Sequence, residues 1–198
     1  MKQKLIIIGG GGHAKVIIDA VLAGDEYDIH GIIDQKLEKG TKVLGVPVLG
    51  TESILSELFD AGIKNAFIGV GSIGNCDVRR NIYRKLKNIG FNLPVIIHPK
   101  AVVARDVEIE EGTFVAASAT INPGTKIGKN VIINTSSSID HDCCIEDFVH
   151  VAPGAILCGT VTVGGQTHIG MGANIIQSVK IGKGCFIRAG SLVESDHR

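Results

Sequence analysis

Every sixth residue from Val103 to Val193 is aliphatic, without exception: Val103, Ile109, Val115, Ile121, Ile127, Ile133, Ile139, Ile145, Val151, Leu157, Val163, Ile169, Ile175, Ile181, Ile187 and Val193. Two residues before each stands a small or β-branched one, from Ala101, Val107 and Thr113 through to Ser191. Neither the 3.6-residue period of a helix nor the two-residue period of a strand stays in phase with six over such a stretch. A period of six belongs to a chain wound into stacked coils, a parallel β-helix. The aliphatic residue is expected to fill the corner of each coil, and the small one to let neighbouring coils approach. Three hexapeptides, 18 residues, close one triangular coil, so residues 101 to 194 make about five coils. Such a prism has flat faces that stay apolar unless covered, which predicts an oligomer with clefts between its chains.

Before residue 98 the pattern is different. KLIIIG (4 to 9) is a short apolar run of the kind found in buried parallel strands. HAKVIIDAVLAG (13 to 24) carries apolar residues at helical spacing and ends in glycine. Further strands are expected at IHGIID (29 to 34), NAFIGVG (65 to 71) and NLPVIIHP (92 to 99). Helices are expected at TESILSELFDAG (51 to 62), capped by Thr51 or Ser53, and from Cys76 to Gly90. Strand and helix alternate, so the fold class is α/β plus β. A small Rossmann-like domain (1 to 97) precedes the β-helix (98 to 198).

The formal net charge is zero, which argues against a nucleic-acid surface. No apolar run reaches the roughly 18 residues of a membrane span, and no secretory leader is recognisable. The five cysteines are odd in number and form no CxxC pair, as in a reducing cytoplasm and unlike a zinc ribbon.

Five places carry chemistry. GGGGHA (9 to 14) follows the first strand and opens the first helix, fitting G-x-G-x-x-A through Gly9, Gly11 and Ala14. Its glycines would admit a phosphate to the free N–H groups of the helix N-terminus. Asp34 ends the second strand, where a ribose-binding acid often sits. The half is short for a dinucleotide, so a mononucleotide or nucleotide sugar suits it better than NAD. His13 begins the helix, either as a ligand contact or as an exposed first-turn residue. Gly71 ends the third strand on the same sheet edge. Asp140-His141-Asp142 places an outward imidazole between two acids, either a base tuned by its neighbours or a solvated turn of alternating charge. His150 and His168 lie one coil apart and are expected to stack, with His168 read as a surface residue. Stacked histidines raise the question of zinc, as in γ-class carbonic anhydrases. Those enzymes use a His-x4-His pair that this chain lacks, so no metal is expected.

With these motifs in place, the chain resembles the sialic acid O-acetyltransferase and bacillosamine N-acetyltransferase family (NeuD/PglD-like). The resemblance is carried by IIGGGGHAKV, IID, IIHPKAVVARDVEIEEGTFV and NTSSSIDHDCCIEDFVHVAPGA. It implies a left-handed β-helix, a homotrimer, acetyl-CoA as cosubstrate and a cytoplasmic enzyme. His141 would be the general base and Asp142 the acid that tunes it. Gly11, Gly12, His13, Asp34, Gln35 and Gly71 would line a nucleotide-sugar pocket, with UDP the expected handle. His150, Met171 and Ala189 would face acetyl-CoA. The chain departs from the family in reading SLVESDHR where such proteins run on into a short further tail. The expected reaction is acetylation of the amino group of a UDP-linked 4-amino sugar. O-acetylation of a sialic or related nonulosonic acid, a metal-dependent carbonic-anhydrase-like activity and a non-catalytic nucleotide-sugar-binding module are the alternatives.

Overall fold

The computed structural model describes residues 2 to 198. The chain divides into two units, Met1–Gly71 with Asp77–Pro94, and Ser72–Cys76 with Val95–Arg198.

In the first unit, strand β1 (Gln3–Ile8) leads into helix α1 (Gly12–Ala23), then β2 (Tyr27–Ile33), β3 (Lys42–Val43) and β4 (Val46–Gly50). Helix α2 (Leu55–Asp60), β5 (Asn65–Ile68) and α3 (Asp77–Ile89) follow. The sheet order is β3-β4-β2-β1-β5, parallel except for the β3 edge. Leu5 to Ile8 are buried without alternation, as a central parallel strand requires. Helix α1 buries Ala14, Ile17, Ile18, Ala20 and Val21.

Three expectations are corrected here. The helix expected over 51 to 62 is a 3₁₀ turn (Glu52–Ile54) followed by the short α2. The Thr51 and Ser53 hydroxyls bond each other at 2.9 Å rather than capping the helix, because short polar side chains compete with helical pairing. The β3–β4 hairpin, absent from the sequence reading, turns through Leu44 and Gly45 with φ of 49° and 84°, the positive pair that a tight two-residue turn demands. Finally, NLPVIIHP is not a strand of this sheet. Asn92 bridges Asn65, Pro94 has no N–H to continue the ladder, and Ile96–Ile97 pairs with Phe114–Val115. It is the first rung of the coil, 18 residues before the next.

The second unit is a parallel β-helix of two-residue strands in three ladders. The first runs from Val102–Val103 to Leu192–Val193, the second from Glu108–Ile109 to Lys180–Ile181, the third from Ile96–Ile97 to Phe186–Ile187. The aliphatic residues sit on the sides of the coil as the second residue of each strand, not at its corners. From Val115 to Ile187 they are at most 2% exposed and form one continuous core. The corners carry a residue of positive φ in every sixth place, including Ser136, Asp142, Phe148, Gly154 and Thr160. Backbone bonds run from coil to coil, as with Ser138 N to Ala155 O at 2.9 Å and Thr160 N to His141 O at 2.9 Å. At the C-terminus His197 pairs with Ile181, and Asp196 accepts from Lys180 N at 2.9 Å. No helix among the described residues is long and apolar enough to cross a membrane.

Candidate functional site

The first unit holds a cleft of about 460 Å³ at the ends of β1, β2 and β5. Gly11, Gly12, His13, Asp34, Gln35 and Gly71, the six pocket residues expected from sequence, all line it. No side chain caps the N-terminus of α1 and no acid stands in its first turn, so the positive end of the helix dipole faces the cleft unneutralised. A Cβ added at Gly11 or Gly12 would meet nothing within 4 Å, so the space above the turn is open. At Gly71 a Cβ would lie 3.4 Å from the His13 Cβ, which sets the histidine against the end of β5.

Asp34 does more than face this cleft. Its Oδ2 accepts from Gly10 N at 2.7 Å, and its Oδ1 from Lys36 N at 2.7 Å and Leu37 N at 3.0 Å. Burial acts to raise its pKa, but the three N–H donors outweigh that and hold the carboxyl below its usual range. Asp34 therefore ties the glycine turn to the chain leaving β2. Glu52 and Lys36 also line the cleft, and neither was singled out from sequence.

The second unit holds the histidines. His141 stands exposed at the corner between the first and second ladders. Its Nδ1 lies 2.8 Å from Asp142 Oδ2. A carboxylate can only accept, so Nδ1 carries the hydrogen and Nε2 keeps a lone pair. The bond to Asp142, with the charges of both neighbouring acids, raises the pKa of His141 above that of an ordinary imidazole. Asp142 reaches the ring because it occupies the left-handed corner, φ 58°, a conformation Asp tolerates better than most residues. Asp140 turns away from the ring: its Oδ1 accepts from His141 N at 2.8 Å and from Asn122 Nδ2 at 2.9 Å. Thr125 Oγ1 donates to Asp140 O at 2.9 Å, fixing the corner from inside the coil.

Three supports were not foreseen. A Cβ at Gly159 would lie 2.6 Å from both Nε2 and Cε1 of His141, and one at Gly124 would collide with Asp142 Oδ1. The signal that finds them is the coil length itself: Asn122, Gly124 and Gly159 are each 18 residues from Asp140, Asp142 and His141.

His150 and His168 pair in register, as expected, with ring centroids 4.8 Å apart. Both are buried, at 8% and 7% exposure, which corrects the surface placement of His168. Phe186, one coil on, stacks over it at 5.0 Å. Burial holds His168 below the ordinary imidazole pKa, so it is neutral near pH 7. His150 Nδ1 donates to Ser72 O at 2.7 Å and Nε2 accepts from Asn134 Nδ2 at 3.1 Å. Both ring nitrogens are thus engaged within the chain. Met171 and Ala189 are exposed and occupy the same place in successive coils, at the corner between the third and first ladders. One whole face separates them from His141 within the chain. Burial pushes the neighbouring Cys143 thiol up to about 11, so it stays protonated and is no nucleophile. Among the described residues, no three His, Cys, Asp or Glu side chains are grouped as a metal would need.

Two family models match parts of the chain. Residues 4 to 86 match the PglD N-terminal domain, and residues 160 to 195 match the bacterial transferase hexapeptide (six repeats). GDP-perosamine N-acetyltransferase of Escherichia coli O157:H7 is 32% identical over 170 residues, covering 86% of this chain and 67% of that protein. UDP-N-acetylbacillosamine N-acetyltransferase of Bacillus subtilis is 34% identical over 119 residues, 58% of this chain and 52% of that one. The crystal structure of a histidine mutant of perosamine N-acetyltransferase from Caulobacter crescentus, in complex with CoA and GDP-perosamine, superposes with a TM-score of 0.90 at 38% identity. That match covers 98% of this chain and 90% of the other. The chain is an acyltransferase with a left-handed β-helix, and it belongs to the NeuD/PglD-like family of hexapeptide-repeat sugar acetyltransferases.

Proposed function

We propose that His141 is the general base in the transfer of an acetyl group from acetyl-CoA to the amino group of a nucleotide-linked sugar. The chain is a sugar N-acetyltransferase of that broad kind. The observation that carries the role of His141 is its bond to Asp142: Nδ1 is held by the carboxylate, and Nε2 is left with a lone pair at an exposed corner. An amine attacking the thioester carbonyl forms a C–N bond and must lose a proton, which Nε2 takes. The C–S bond breaks as the tetrahedral intermediate collapses. The proton on Nε2 then goes to the departing CoA thiolate, so the histidine ends as it began. No covalent enzyme intermediate is needed, in keeping with the protonated Cys143. The cleft of the first unit would hold the nucleotide, its diphosphate at the open N-terminus of α1.

The working form is a homotrimer in this reading, the count of three being that of the family. The first ladder supports it. Its outward row sets exposed Val102, Ile156 and Leu192, at 63%, 44% and 59% exposure, among the uncharged Thr120, Ser138 and Asn174, a face free of charge that a second copy would cover. The same face separates His141 from Met171 and Ala189, so packing there would bring one copy's His141 corner towards the other corner of its neighbour, where acetyl-CoA would lie. His150 would reach the cofactor through Asn134 or its ring carbons. The setting would be the cytoplasm and a bacterial glycan pathway.

The test is CoA release from acetyl-CoA with nucleotide-linked 4-amino sugars as acceptors. Wild type turns over on at least one, and His141→Ala loses roughly 100-fold or more with an unchanged melting temperature. Release retained in the variant removes His141 from the chemistry. Release on free sialic acids instead makes the enzyme an O-acetyltransferase. Nucleotide-sugar binding without release, and without CoA affinity, leaves a binding module.

A further inference from the structure

The cleft of the first unit carries a clue to the nucleobase. Asp34, the acid expected to read the nucleoside, is occupied by three backbone N–H groups. The other carboxylate lining the cleft is Glu52. It is paired with Lys85 of α3, Oε2 to Nζ 2.7 Å. That bond, against the effect of burial and with help from Gln35, holds the Glu52 carboxyl below its usual pKa. The Glu52 side chain is 21% exposed and Lys85 46%, so the pair is held in place yet open on one side. Val78 and Ile82 of α3 give the same cleft an apolar wall against which a flat ring can lie.

A carboxylate beside an ammonium presents two acceptors and then a donor. Guanine is the base whose pairing edge matches: N1–H and the N2 amino group are adjacent donors, and O6 beside them is an acceptor. Uracil offers a single N–H flanked by two carbonyl oxygens. A carboxylate facing it would gain one bond and repel the neighbouring oxygens. Gln35 is exposed and free to turn away when a base arrives.

We propose that the nucleotide handle is guanosine diphosphate, with Glu52 reading N1–H and the N2 amino group and Lys85 reading O6. This rests on the reading of the cleft as a nucleotide-sugar site and departs from the uridine handle expected from sequence. The pair is a specificity determinant, remote from the acetyl transfer.

Binding of free GDP and UDP, measured by calorimetry on the full chain, tests it. GDP binds roughly tenfold or more tightly than UDP, as a good bidentate contact discriminates. Glu52→Gln, which keeps size and shape, loses most of that preference and leaves UDP affinity within about twofold. Lys85→Met weakens GDP by a smaller factor and serves as the second variant. UDP binding as tightly as GDP, neither nucleotide binding, or a GDP preference untouched by Glu52→Gln would overturn the proposal. The two readings fail separately. GDP preference without CoA release on any sugar sinks the acetyl transfer and spares the base assignment. CoA release confined to UDP sugars does the reverse.

Discussion

Two aspartates, Asp34 and Asp142, stand at turns that end a strand, and they behave in opposite ways. Asp34 faces inward to the backbone, with both oxygens taken by three N–H donors. Asp142 faces outward to a side chain, and one of its oxygens takes the imidazole of His141. In the first unit the glycine turn has no side chains of its own, so its shape must come from a neighbouring acid. In the second, the backbone is already fixed by bonds from coil to coil, so the corner acid is free to bond a side chain. A change at Asp34 should therefore be felt as stability and binding. A change around His141 should be felt as rate.

The largest effect is expected at Asp34. In Asp34→Ala three N–H groups lose their acceptor. At about 1 kcal/mol each, discounted for the solvent that reaches Lys36, the first unit loses about 2 kcal/mol. Its melting temperature falls by roughly 8–16 °C. Nucleotide affinity falls with it, while kcat at saturating sugar stays within about twofold. The pH dependence follows from the lowered pKa of Asp34. Its contribution is complete above the unfolded value of about 4 and is lost as pH falls through the lower folded value. The wild type should thus outlast the variant at neutral pH and converge with it in acid. Equal melting at neutral pH would mean that the acid is no clasp, and would return it to the ribose.

Next in size is Gly159→Ala, which presses on the other side of the comparison. The glycine is not in the left-handed region, so alanine costs the backbone little, but its methyl would occupy the place of the His141 ring edge. We expect kcat/KM to fall roughly tenfold through misplacement of the base, with nucleotide affinity unchanged. Unchanged turnover would mean that the ring has room to shift and that its position is set by Asp142 alone.

The same residues show what the sequence could and could not disclose. The coil was legible because one residue type must recur wherever the chain turns inward, and Val103 to Val193 do so without a gap. The repeat in fact starts earlier: Ile97 is six residues before Val103 and pairs as a rung. An apolar pair between prolines reads the same in either setting, so the sequence alone places it with the first sheet. The β3–β4 hairpin was hidden because its turn puts a leucine at positive φ, where Asn or Gly would have signalled it. His141 and Asp142 were visible as an odd cluster of charge among small residues. Asn122, Gly124 and Gly159 were not, since each acts across a coil and looks like ordinary filler in its own repeat. Adding or subtracting 18 from each member of the site would have found them. The Glu52–Lys85 pair has no such rule, because two elements of the first unit bring it together and no repeat relates them.

The smallest effect, and the sharpest test of the comparison, is at Asp142. Asparagine keeps its size and still accepts from Nδ1, but it removes the charge. The carboxylate bond that mainly raises the pKa of His141 becomes a bond to a neutral amide, and the value moves down towards an ordinary imidazole. As the proposed base, His141 works only when unprotonated, so the acid limb of the kcat/KM profile should shift to lower pH in Asp142→Asn. At the same time a weaker base lowers the plateau, by a few-fold to roughly tenfold. The two profiles therefore approach each other at low pH, where the variant keeps more of its histidine unprotonated, and separate at high pH. The melting temperature should hardly move, because the residue is exposed and its backbone N–H is satisfied by Pro123 O at 2.9 Å. A plateau loss without any shift of the limb would mean that Asp142 orients the ring and does not tune it. A fall in stability comparable to that of Asp34→Ala would erase the distinction between an acid that builds a turn and one that serves a base.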